Sequence, residues 1–415
     1  MNRTYMRLNT GQVPLIALFT ANAISMTGNM ITIVAIPWFV LKTTGSATEM
    51  GITGFFNVLP VVLAGLFGGA LVDRLGYKRT SILADLSSGM AVVLIPILYA
   101  TIGLPFWSLM ILVFLGGLLD TPGDTARNAL IPDLAEMAGM PLERATSINQ
   151  VIERGSRLAG APLGGLLIVI MGQVNALWVD AFTFLVSALL VAWLVKVRIY
   201  HVRVRTSGNY WGEMIAGIKF LANDRLLLMI ALMVMITNFL DSGFSGVVQP
   251  IYMNQVFGSA LSLGLVIAMG GAGAVLGALI YGWVGYRLPR FVIFVSMFML
   301  VSLRFFVYAL YPPLWLLLLS MFLFSVGAGP LNPIIDAVKY ERIPVDMRGR
   351  VLGIITAGAW AAMPISELAA GFLVNKAGVQ PILIGCGVIY LAATASMAVM
   401  PAMRAMNRSA ADVAD

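Results

Sequence analysis

The sequence is poor in charge, cysteine and histidine. Asp, Glu, Lys and Arg make up 11% of its 415 residues, where an ordinary soluble domain carries about a quarter. Water is therefore not the only solvent this chain is built for. A single cysteine, Cys386, lies in an apolar run, which excludes a disulfide framework and a cysteine-held metal. A single histidine, His201, lies in a basic stretch, which excludes a histidine-ligated metal centre. A nucleophile motif and a phosphate loop are absent as well. The chain thus reads as no enzyme, with no cofactor and no ATP-driven step of its own. Apolar surface is what it has in excess: 60% hydrophobic residues and a mean hydropathy of +0.92.

Apolar runs of roughly 18 to 25 residues can cross about 30 Å of hydrocarbon, and twelve are found, near 13–40, 48–72, 80–101, 105–130, 148–171, 175–195, 226–252, 260–284, 291–311, 313–338, 350–374 and 378–401. The first contains Asn22 and Asn29 and has few charges upstream, so it reads as helix 1 rather than a cleaved signal peptide. The basic residues set the orientation. With both termini cytoplasmic, 23 of the 26 Lys and Arg fall on the inner side, at the termini, in the connections after helices 2, 4, 6, 8 and 10, or at the inner ends of the runs that flank them. Lys42 and Lys376 fall outside, and Arg304 within a helix. The net charge of +7 is then topology and attraction to anionic lipid, with no nucleic acid implied. The expectation is a multi-pass, monomeric protein of the cell inner membrane, with the bilayer as its partner.

Laid over itself at half its length, the chain repeats. Gly69-Ala70-Leu71 recurs as Gly277-Ala278-Leu279, Gly76-Tyr77-Lys78 as Gly285-Tyr286-Arg287, Pro122 as Pro330, and Gly165-Leu166-Leu167 is echoed by Gly371-Phe372-Leu373. Duplication predicts two six-helix bundles, 1–195 and 226–415, joined by a polar cytoplasmic linker, 196–225, that holds His201 and Thr206-Ser207-Gly208-Asn209. The fold class expected is an all-α membrane protein of twelve transmembrane helices in two pseudo-symmetric bundles.

Between helices 2 and 3 the sequence reads Gly69-Ala70-Leu71-Val72-Asp73-Arg74-Leu75-Gly76-Tyr77-Lys78-Arg79. This resembles the cytoplasmic loop signature of the major facilitator superfamily, with a tyrosine in place of one basic residue. From Pro122 onward, Ala126-Arg127, Ile131-Pro132-Asp133, Arg144-Ala145 with Asn149, and the glycine-rich run from Gly160 to Gly165 resemble the branch that holds the enterobactin exporter and macrolide-efflux proteins. The resemblance implies that Asp73 latches the two halves at the inner face, near the start of helix 11, where Arg348 and Arg350 lie. A carboxylate there can face a helix N-terminus or pair with Arg79 or Arg127. The second copy has Tyr281 where Asp73 stands, so the latch would be one-sided. The alternative is that Asp73, Arg74, Lys78 and Arg79 only mark topology. In helix 5, Gly160, Pro162, Gly164 and Gly165 resemble the glycine-proline motif of the antiporter branches, with the proline one residue late. That motif implies a bendable, close-packed helix and export by antiport; the alternative is ordinary small-residue packing.

Acids at membrane depth cost at least a few kcal/mol and call for a cavity or a partner. The candidates are Asp120, Asp124, Glu153, Asp180, Asp241 and Glu367, with Arg304 as the basic counterpart. In the superfamily helices 1, 4, 7 and 10 line the cavity, which by resemblance selects Asp120 and Asp241. Asp241 lies sixteen residues past Arg225, about 24 Å up a helix, with no base on the neighbouring turns; Glu367 sits at similar height in helix 11. Proton coupling is expected at Asp241 first, then Glu367, then Asp120. Asp124 is expected to pair with Arg127 or the helix 5 arginines, whereas Asp180 and Arg304 are expected to snorkel outward. Asn22, Asn29, Asn238 and Asn332 are the candidate cavity-lining groups. With 25 methionines and 41 aromatic residues, the implied partners are protons and an amphipathic small molecule such as a drug or siderophore, carried outward by alternating access. Uptake, lipid flipping and a non-transporting sensor are the alternatives.

Overall fold

The computed structural model describes residues 11–196, 210–344 and 347–407. His201 and residues 206–209 lie outside that description, as do the side chains of residues 66–71 and 73, among them Gly69 and Asp73. All regular structure among the described residues is helical. Eleven of these helices are long and apolar enough to cross a membrane: Val13–Thr44, Ala47–Gly65, Tyr77–Thr101, Phe106–Met137, Gln173–Leu194, Arg225–Val256, Ala260–Val284, Arg290–Ala309, Leu314–Arg342, Arg350–Ala377 and Val379–Val399. The twelfth expected span, helix 5, is present as Leu142–Met171. It is less apolar than the others because its first half carries Glu143, Arg144, Glu153, Arg154 and Arg157.

Elementary chemistry sets the helix limits. Gly76 ends helix 2 and opens helix 3 with φ +78, a left-handed backbone that glycine adopts without steric cost. The glycine of the loop signature is therefore a turn residue. Its repeat partner Gly285 has φ −66 in a short 3-10 turn, so the duplication does not extend to this turn. Helix 7 begins where Asp224 accepts hydrogen bonds from the backbone N–H of Leu226 and Leu227, satisfying donors that have no intrahelical partner. Arg342 binds the other oxygen of that carboxylate at 2.8 Å.

The outer faces are greasy, as lipid contact requires: Trp193 is 72% exposed and Trp283 84%. Trp107, Trp178, Trp193, Trp283 and Trp315 all lie close to helix ends, where an indole spans apolar core and wet interface. Inward, small residues bring helices close. Alanine at Gly273 or Gly277 would strike the backbone of helix 10 at Phe322 or Val326.

The chain forms two compact units, Met1–Phe39 with Phe56–Val204, and Val40–Phe55 with Arg205–Asp415. In the first, helix 3 packs on helices 4 and 6. In the second, helices 8 and 10 pair, helices 9 and 12 pair, and helix 7 lies on helices 11 and 12. Two features differ from the expected division. The start of helix 2 groups with the second unit, and part of the expected linker is the helix Tyr210–Asn223, packed on helix 7 and on Arg348–Ala361. Its apolar run Met214–Asn223 is too short to span a membrane and long enough to need burial.

Candidate functional site

Helix 4 delivers three charged residues to the interior of the first unit. Arg127, 1% exposed, gives Nη1 to Asp85 of helix 3 at 2.6 Å and Nη2 to Asp124 one turn earlier on its own helix. Asp85 also accepts from Ser187 of helix 6 at 2.7 Å and from Ser25 of helix 1 at 3.5 Å. The pairing of Asp124 with Arg127 agrees with the sequence reading. Asp85 was missed, although an acid eight residues into an apolar helix was a readable signal. Both Nη groups of Arg127 are thus occupied within the first unit. Asp120, one turn further along helix 4, accepts from Asn29 Nδ2 at 3.2 and 3.4 Å.

Asp180 corrects an expectation. Rather than snorkelling, it is fully buried, accepting hydrogen bonds from Thr32 of helix 1 and from Thr183 on its own helix. Gly28 makes this approach possible, because a Cβ there would collide with Thr183 and Asp180. Asn22 is likewise buried at 1% exposure. It donates to Asn149 at 3.0 Å, and Asn149 donates to Asn128 at 3.0 Å, so Asn22 is a rung between helices 1 and 5. Helix 5 runs unbroken through Pro162. Gly160 and Gly164 press on Met30 and Ile31 of helix 1, so this motif serves close packing inside the first unit. Glu153 pairs with Arg157 at 3.4 Å on an exposed face.

The second unit holds the other acids. Glu367 of helix 11 is 4% exposed and accepts from Ser242 of helix 7 at 2.9 Å. Its carboxylate lies in a slot bounded by two glycines, Gly54 at the start of helix 2 and Gly246 of helix 7, and a methyl on either would overlap it. The neighbouring Ser366 donates to the carbonyl of Phe239 and accepts from the N–H of Gly243 at 3.2 Å, which locks helix 11 to helix 7. Just past this lock helix 7 widens into a π turn, Phe244–Val248, a form frequent at functional sites.

Asp241 departs from expectation in one respect. Arg304 of helix 9 does not snorkel: it forms an ion pair with Asp241, and its guanidinium packs against the rings of Phe305, Phe244 and Tyr390 at 4.7, 5.3 and 5.8 Å. The base that the neighbouring turns of helix 7 lack comes from a helix 63 residues away. Asn238 donates to the carbonyl of Ala359 at 3.3 Å, and Asn332 is exposed at the start of Leu331–Arg342. Among the described residues no group of three His, Cys, Asp or Glu is placed to hold a metal.

Two helical units with acids sunk among apolar helices define an integral membrane transporter. The solved structure of the nucleoside transporter NupG matches with TM-score 0.77 at 12% identity, covering 94% of this chain and 98% of that one. A bacterial homologue of the iron transporter ferroportin matches with TM-score 0.70, also at 12% identity, covering 93% and 98%. At such identity these show the fold alone.

The chain belongs to the Major Facilitator Superfamily, whose family model matches residues 18–244 and 231–412. Among its relatives, the multidrug efflux pump Tap of Mycolicibacterium fortuitum is 31% identical over 377 residues, 90% of this chain and 92% of that protein. The Tap pump of Mycobacterium tuberculosis is 30% identical over 90% of each chain. Macrolide efflux protein A of Streptococcus pyogenes is 21% identical over 90% and 92%.

Proposed function

We propose that this transporter is a proton-coupled exporter of amphipathic small molecules, working by alternating access in the cell inner membrane with both termini cytoplasmic. The efflux relatives support the direction and the substrate class. The observation that carries the coupling is Glu367: an acid 4% exposed, bound by a serine hydroxyl, with no basic side chain in salt-bridge range among the described residues. Such a group can gain and lose a proton as access alternates, because no fixed cation holds it ionised. Asp241 has that fixed cation in Arg304, so Glu367 takes precedence over it. Asp120, with Asn29 as its donor, is the candidate of the first unit.

The test is transport in proteoliposomes under an imposed pH gradient, with a radiolabelled macrolide and a lipophilic cationic dye as probes. Wild type is expected to accumulate a probe against its gradient. Glu367→Gln should lose uphill accumulation and keep downhill exchange, because the amide mimics the protonated acid and cannot release a proton. Gradient-driven accumulation by Glu367→Gln at the wild-type level overturns the assignment.

A further inference from the structure

Helix 1 carries polar side chains at Asn22, Ser25, Asn29 and Thr32. The 3-4-3 spacing keeps them on one side of the helix, within an arc of about 80° at 3.6 residues per turn. Each rung meets a different helix of the first unit. Asn22 reaches Asn149 of helix 5, Ser25 reaches Asp85 of helix 3, Asn29 reaches Asp120 of helix 4, and Thr32 reaches Asp180 of helix 6. From first to last the rungs climb about 15 Å, in steps of about 4.5–6 Å. Three carboxylates on three helices are thereby collected at successive levels of one stripe.

Charge does not balance along this stripe. Asp85, Asp120, Asp124 and Asp180 share one cation, Arg127, whose Nη groups go to Asp85 and Asp124. The other charged groups on the surrounding helices are engaged elsewhere or exposed: Lys78 Nζ donates to the carbonyl of Ala192, Glu153 and Arg157 pair on an exposed face, and helix 1 carries no charge between Gln12 and Lys42. A buried carboxylate without a counterion is costly, and hydrogen bonds from an amide or a hydroxyl offset only part of that cost. A proton on the acid removes it.

A separate observation points to what moves there. Arg127 and Asn22 are each 1% exposed, yet Arg127 Nε and Asn22 Oδ1 have no protein partner. The Nη bonds hold that Nε inside the cluster. Ser81, one turn before Asp85 and fully buried, has an unpartnered hydroxyl. A buried donor, a buried acceptor and a group that can be either are sites that buried water satisfies.

We propose that helix 1 is the spine of a proton track through the first unit, with Asp85, Arg127 and Asp124 at one end, Asp120 as relay and Asp180 as terminal acceptor. Each hop moves one proton from a hydronium or an acid to the next carboxylate, leaving the donor as water or carboxylate; nothing is oxidised or reduced. The track rests on the proton-coupled reading and adds to it a proton-binding group, Asp180, in a different unit from Glu367. Gly28 belongs to this device, since only a glycine admits Asp180 and Thr183 to helix 1 at that level.

Infrared difference spectroscopy on the reconstituted full chain tests it. Wild type is expected to show a protonated-carboxyl stretch that shifts in heavy water and disappears on titration to high pH. Asp180→Asn, which can keep the bonds to Thr32 and Thr183, should lose that component. Thr32→Val should retain it, displaced to the frequency of an acid with one hydrogen bond fewer. Absence of a titrating carboxyl band, or the same band in Asp180→Asn as in wild type, overturns the proposal. Thr32→Val covers the case in which Asp180→Asn does not fold: an undisplaced band then counts against the track. Glu367→Gln leaves this band in place, so failure of the efflux reading in the transport assay is separable from failure of the track.

Discussion

Arg304 shows how one residue can be legible in type and not in role. Its presence in an apolar helix demanded a partner or an escape to the interface, and local sequence favours escape. The partner, Asp241, lies 63 residues away, and only the packing of helix 9 on helix 7's neighbours brings the two together. Removing one member strands the other, which costs about 3–5 kcal/mol in a fully buried pair. Asp241 keeps 39% of its side-chain surface exposed, so the expected loss for Arg304→Met is lower, about 2–3 kcal/mol. The double variant Arg304→Met with Asp241→Leu should recover most of it. Thermal unfolding in detergent checks this: a double variant no more stable than Arg304→Met would mean that the aromatic rings, not the carboxylate, are what hold the arginine.

Helices 1 and 5 carry the lesson at the scale of elements. The glycine-proline run of helix 5 reads from sequence as bendable and close-packed, and the folded helix continues through Pro162 with its glycines in close approach to helix 1. A Cβ at Gly164 would lie 2.9 Å from the Cα of Ile31, and backbone cannot step aside as a flexible side chain can. Gly164→Ala is therefore expected to destabilise the first unit by about 1–3 kcal/mol, the usual cost of overpacking, whereas Gly155→Ala, which meets nothing within 4 Å, should be near neutral. Equal stability of the two variants in detergent would return helix 5 to the bending reading. The polar face of helix 1 was visible as single asparagines but not as a stripe, because serine and threonine are unremarkable in a membrane helix until their acceptors are known. Those acceptors lie 60 to 148 residues away, beyond the reach of local pattern.

At the scale of the whole molecule, sequence patterns went furthest. Run length gives twelve spans, and eleven of the described helices are long and apolar enough to cross a membrane. Within 196–225 the polar composition conceals the packed helix Tyr210–Asn223. The proposed orientation makes a direct prediction. In a Cys386→Ala background, Glu136→Cys in the last turn of helix 4 should react with a membrane-impermeant maleimide only from the cytoplasmic side, and Thr101→Cys at the end of helix 3 only from outside; the reverse pattern inverts the topology. We propose further that Asp73 latches the inner face. On that reading Asp73→Asn shifts the balance toward forms open to the cytoplasm by about 1–3 kcal/mol, the usual scale of coupling free energies. Unchanged labelling from inside, together with unchanged transport, would leave Asp73 as a topology marker.

The π turn at Phe244–Val248 means that helix 7 carries one residue more than an α-helical ladder needs. Such a surplus can be handed along a helix one hydrogen bond at a time. Each residue the surplus passes turns by about 100° and shifts about 1.5 Å along the axis, while the chain on either side of its path keeps its place and the helix stays unbroken. Ser242, which holds Glu367, lies before the surplus, and Gln249, which donates to Tyr308 at 2.7 Å, lies after it. Helix 7 therefore changes register between two anchors, with Ser242 gripping the acid of helix 11 on one side of the extra residue and Gln249 held to helix 9 on the other.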